Sequence, residues 1–136
     1  MNQEEKAREL ISRLANDFEF FLETLWSEIG LPPIAEHQRW IARFLQDGPR
    51  RRGIRAFRGA SKTFVTLGYA TWRLFRNPNE RVLVISKSEK HSKDSLYMVR
   101  KWIGQVPWLQ HMVPDRKGGQ RDSANKFDIG TSDNDR

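Results

Sequence analysis

The stretch IRAFRGASKTFVT, residues 54–66, constrains this chain most: a short extended run meets a turn of small residues that opens an apolar helix through Lys62 and Thr63. A phosphate-binding loop of the form GxxxxGK[ST] needs backbone N–H groups around an anion, a lysine on the terminal phosphates and a hydroxyl for Mg²⁺. Lys62 and Thr63 answer the last two demands. A helix starting at Lys62 adds its free N–H groups and the positive end of its dipole. Ser61 and Ala56 stand where the general motif has its two glycines, with a single glycine at Gly59. Positive φ at Ser61 would cost roughly 1 kcal/mol or more, although the small side chains of Gly59, Ala60 and Ser61 still allow close backbone approach. The plain alternative is a basic strand, turn and helix with an exposed lysine.

Upstream, Leu10, Ile11, Leu14, Phe18, Phe21, Leu22, Leu25, Trp26 and Ile29 recur at steps of one, three and four. That spacing predicts one amphipathic helix over residues 4–29, stopped by Gly30, Pro32 and Pro33. Its apolar stripe needs cover, from the rest of the domain or from another subunit. A second helix over about 35–46 turns Trp40, Ile41, Phe44 and Leu45 inward and ends at Gly48 and Pro49. His37 and Gln38 stand at its start. A glutamine side chain offers an acceptor and donors that suit the edge of adenine, while a solvated role is the ordinary alternative.

The run PRRRGIRAFRG holds Arg50, Arg51, Arg52, Arg55 and Arg58 close to the phosphate loop. Arg50, Arg51 and Arg52 fit either a solvated loop or contacts to DNA phosphates. Arg58, four residues before Lys62, is placed to reach or sense a γ-phosphate, and an arginine in that role raises phosphoryl-transfer rates by orders of magnitude.

Beyond the loop, Phe64, Val65, Leu67, Ala70, Thr71, Leu74 and Phe75 predict a buried helix ending at Asn77 and Pro78, with Gly68 allowing close approach. RVLVIS, residues 81–86, has the pattern of a strand buried on both faces of a parallel sheet. A further helix over 89–105 follows, with Leu96, Val99, Trp102 and Ile103 inward and a basic outer side of Lys87, Lys90, Lys93, Arg100 and Lys101. The series of helix, buried strand and helix implies a right-handed βαβ crossover. PWLQHMVP reads as a compact apolar turn, RKGGQRDSAN as loop, and KFDIG as a further strand.

The net charge of +7, from 24 Lys and Arg against 17 Asp and Glu, points to a polyanionic partner. No cysteine is present, which excludes disulfides and thiolate metal sites. Asp122, Asp128, Asp133 and Asp135 lack the partners of a metal site, as do His91 and His111. No apolar run approaches the roughly 20 residues of a membrane span, and the reading is of a soluble intracellular chain.

In their order and spacing, DFEFFLETLW with LPP, HQRWIARFL, AFRGASKTF, WRLFRNPNERVLVISKSEKHSKD and QRDSANKFDIG resemble the large terminase subunits of tailed bacteriophages, podophages especially. The likeness covers nearly the whole chain. It implies an α/β fold: a P-loop NTPase of the ASCE type, with a partial parallel sheet, flanking helices and an N-terminal helical region. Residues 1–49 would form that helical region with the adenine-motif helix, and residues 50–136 an incomplete ATPase core. By the same resemblance Gln38 contacts adenine, Gly59, Ala60, Ser61 and Lys62 hold the phosphates, Thr63 holds magnesium, and Arg58 is the catalytic or sensing arginine. The implied cofactors are ATP and Mg²⁺.

The implied partners are double-stranded DNA, a small terminase subunit, a portal protein and neighbouring copies in a ring, in the host cytoplasm and transiently at the procapsid portal, with no membrane. The family also carries a second acidic ATPase motif and a C-terminal nuclease domain, and no run here supplies either. The expectation is therefore the N-terminal part of such a subunit, its own catalysis left open. The alternative is a non-catalytic basic module that binds DNA or a motor subunit.

Overall fold

A computed structural model of the chain describes residues 2–57, 59, 61–115, 117, 119, 120, 122, 123 and 126–129. In chain order α1 spans Gln3–Asn16, α2 Phe18–Glu28, α3 Glu36–Asp47, α4 Lys62–Arg76 and α5 Glu89–Gln105, followed by a 3₁₀ turn over Pro107–Met112. The chain divides into two compact units, Met1–Trp72 and Arg73–Arg136.

The single long helix expected over 4–29 is two helices. Asp17 takes an extended conformation (φ −134°, ψ 102°), and its carboxylate accepts the Phe20 N–H at 3.2 Å to cap α2. A short acceptor side chain that can satisfy a free helix N–H competes with helix continuation, which periodicity alone does not register. Gln46 of α3 braces the break, accepting the Phe18 N–H at 3.0 Å and donating to the Asn16 carbonyl at 3.1 Å. In consequence Leu14 is buried while Leu10 and Ile11, expected on the inner stripe, are exposed.

The first unit packs around Phe18, Phe21, Leu22 and Leu25 of α2. The Phe18 ring meets Tyr69 and Trp72 of α4 at centroid distances of 5.4 and 5.3 Å. Trp72 is buried, and its indole N–H donates to the Leu14 carbonyl at 2.9 Å, which satisfies the one polar atom that burial would otherwise penalise. A side chain at Gly68 would bring its Cβ to 2.8 Å from Leu22 Cδ1, so the glycine permits the approach of α4 to α2. Arg39 donates to Glu19 at 2.8 Å and also pairs with Glu23, and Arg43 donates to Glu19 at 2.9 Å. These hydrogen bonds, from Arg43 first and then Arg39, hold the Glu19 carboxyl below its ordinary range.

With the arginines of α3 turned toward α2 and Gln38, Ile41, Ala42 and Leu45 buried, the stripe of Trp40 and Phe44 is left outside. Both were expected inward; Trp40 is 70% exposed.

In the second unit Val99, Trp102 and Ile103 of α5 pack with Val106, Leu109, Met112 and Ile129. Arg73 and Glu80 pair across the turn after α4, and Arg100 pairs with Asp122 and donates to the Ser123 carbonyl at 3.1 Å.

The expected parallel sheet does not form. Among the described residues there is no strand, only an isolated antiparallel bridge between Asp122 and Phe127 where KFDIG was expected to pair. RVLVIS makes no ladder, and Leu83 and Ile85 are 81% and 82% exposed. An apolar run becomes a buried strand only when neighbours on both edges take its N–H and C=O groups, and no second run among these residues does so. The α/β nucleotide-binding architecture is thus replaced by a helical one.

Candidate functional site

Gly59 takes φ +92° and Ser61 φ +61°, both left-handed, and the Ser61 carbonyl accepts the Val65 N–H at 3.0 Å to begin the helix. For a serine this conformation costs about 1–2 kcal/mol. Lys62 and Thr63 are exposed in the first turn of α4, where a helix has N–H groups without intrahelical acceptors. The Lys62 ammonium reaches back to the Ala56 carbonyl at 3.0 Å. Arg58 and Ala60 lie outside the described residues.

Gln38 is buried at the start of α3, and its side-chain carbonyl accepts the Ala35 N–H at 2.9 Å. This caps the helix and leaves the amide end of the side chain for any base contact. The neighbouring His37 ring packs on Phe57, centroids 5.1 Å apart, and brings the beginning of α3 against the segment that leads into the turn. His37 Nε2 is buried without a hydrogen-bond partner among the described residues. Phe57 and His37 join two parts of the sequence that were assigned separately. No local spacing signals that contact, which joins residues twenty positions apart.

The three consecutive arginines separate. Arg50 and Arg51 are exposed, while Arg52 is half-buried, donating to the Gly48 carbonyl at 3.2 Å and the Tyr69 hydroxyl at 3.3 Å with its guanidinium 5.7 Å from the Tyr69 ring centroid. Arg52 thus holds the segment to α4, and the outward cations are Arg50, Arg51 and Arg55.

These features suit an anion at the head of α4: left-handed turn residues, a helix N-terminus, a lysine and a hydroxyl. Among the described residues no group of three or more His, Cys, Asp or Glu could hold a metal ion.

No family model matches the chain. Over 122 residues, 89% of its length, it is 33% identical to the terminase large subunit of Enterobacteria phage T3. The chain is similar to part of a terminase large subunit. It spans 20% of that relative's length. In this terminase-like chain no described helix is long and apolar enough to cross a membrane.

Proposed function

We propose that the chain carries the nucleotide-phosphate contacts of a terminase large subunit, the ATP-driven motor that packages double-stranded DNA into procapsids. The alignment with the T3 subunit supports this reading, as does the positive φ of Gly59 and Ser61 just ahead of Lys62 and Thr63. The backbone from Gly59 to Ser61 and the first turn of α4 would receive the β- and γ-phosphates. Lys62 would exchange the Ala56 carbonyl for a phosphate oxygen, Thr63 would hold Mg²⁺, Gln38 would offer its amide to adenine, and Arg58 would sense or stabilise the γ-phosphate. Arg50 and Arg51 would lie along the DNA backbone. The small terminase subunit, the portal protein and further copies in a ring would be its partners, in the host cytoplasm at the procapsid.

A second reading is a non-catalytic basic module derived from a terminase, which the exposed Arg50, Arg51 and Arg55 favour. Titration of a fluorescent ATP analogue with Mg²⁺ separates the two. Saturable binding that weakens at least about tenfold in Lys62→Ala supports the nucleotide site. No binding by the parent chain, with DNA binding retained, supports the module.

A further inference from the structure

We propose that the segment from Arg51 to Phe57, together with Trp40 of α3, forms a surface that stacks unpaired nucleobases, so that this chain grips single-stranded DNA by base faces as well as phosphates. The proposal rests on the DNA-handling reading above and extends it to a strand form that reading does not name.

Along residues 51–57 exposure alternates: Arg51, Gly53, Arg55 and Phe57 face outward, and Arg52, Ile54 and Ala56 are half-buried. Arg52 ties the inner side to Gly48 and Tyr69, so the outer row is fixed in direction. Phe57 is 63% exposed yet backed by the His37 ring, and Trp40, one turn further along α3, is 70% exposed. Two large rings that remain open to solvent while one of them is braced from behind are platforms for a flat partner.

The surrounding charge selects the partner. No Asp or Glu occurs between Asp47 and Glu80, while Arg50, Arg51, Arg52, Arg55 and Lys62 all do. The setting is basic along residues 48–79, with Glu36 and Asp47 exposed on α3 beside it. A polyanion with aromatic faces gains from both the cations and the rings, where an apolar protein surface gains only from the rings. In an extended chain Arg55 and Phe57 are about 7 Å apart, so a base on the ring has its own phosphate within reach of the guanidinium. A fully paired duplex hides its base faces and would use only the arginines.

The test compares a fluorescein-labelled oligo-dT strand, an abasic strand of equal length and a blunt duplex, each binding the intact chain. The dT strand is expected to bind about tenfold tighter than the abasic strand. Phe57→Ala and Trp40→Ala should each weaken dT binding about tenfold, leave the abasic strand unaffected and keep the helical circular dichroism spectrum, while Phe57→Trp retains dT affinity. Arg55→Ala should weaken both strands and lower the salt slope by about one.

Equal affinity for dT and abasic strands, with the duplex still bound, overturns the stacking surface and leaves the DNA reading standing. Binding to neither strand nor duplex overturns both. Self-association that Trp40→Ala abolishes, with dT binding untouched, assigns the rings to a protein contact and also overturns the proposal.

Discussion

The ammonium of Lys62 donates to the carbonyl of Ala56 across 3.0 Å, closing the turn that leads into α4. The bond is exposed and its acceptor is neutral, so it contributes little to folding, and a phosphate oxygen would outcompete the carbonyl for the ammonium. Lys62→Met is therefore expected to lower stability by less than about 1 kcal/mol in urea unfolding while reducing Mg·ATP affinity at least about tenfold.

Ser61 provides a second handle on the same turn. At φ +61° the serine stores strain that glycine lacks, so Ser61→Gly should leave stability unchanged or raise it by up to about 1 kcal/mol. Ser61→Val, β-branched in a left-handed position, should lower it by about 1–2 kcal/mol. Equilibrium unfolding followed by helical circular dichroism reads both changes.

Neighbouring arginines are expected to separate in the same assay. Arg52→Ala loses its bonds to Gly48 and Tyr69 and should cost about 1–2 kcal/mol of stability. Arg51→Ala, on an exposed side chain, should stay within about 0.5 kcal/mol and instead weaken DNA binding, with a shallower salt dependence.

Acid should destabilise the chain in stages. Burial lowers the His111 pKa from its ordinary value of 6.5, so the unfolded chain takes up a proton there before the folded one does. That contribution is complete above pH 6.5 and is lost as pH falls toward the folded value. Glu19 and Glu80 are held below their ordinary 4.5 chiefly by hydrogen bonds from Arg43 and Arg73, so their contribution is intact above pH 4.5 and lost as pH falls through their folded values. In unfolding curves measured against pH, His111→Phe should remove the early decline, and Glu19→Gln should flatten the later one.

Helices were the most legible part of the sequence. The stop at Asn77 and Pro78 and the extent of α5 match because caps and periodicity are local properties. Asp17 was missed because a cap in the middle of an apolar stripe leaves the period intact. The sheet was misread because RVLVIS records only the apolar character of a strand, while a strand also needs partners. At the candidate site the sequence raised positive φ at Ser61 only as a cost, and the backbone takes it at +61°. The inward turn of Arg52 and the stacking of His37 on Phe57 depend on tertiary contacts with Tyr69 and α3, which one-dimensional spacing does not carry.

The most direct test of the account is thermal unfolding of the chain and of Lys62→Ala with Mg·ATP present at about a hundred times the dissociation constant measured for the parent chain. Binding to the folded state alone should stabilise the parent by about 2.7 kcal/mol, raising its Tm by several degrees, and stabilise Lys62→Ala by no more than about 1.4 kcal/mol, the value for a tenfold loss of affinity. Failure to obtain saturable binding by the parent, or an equal rise in both proteins, would contradict a nucleotide site at the head of α4.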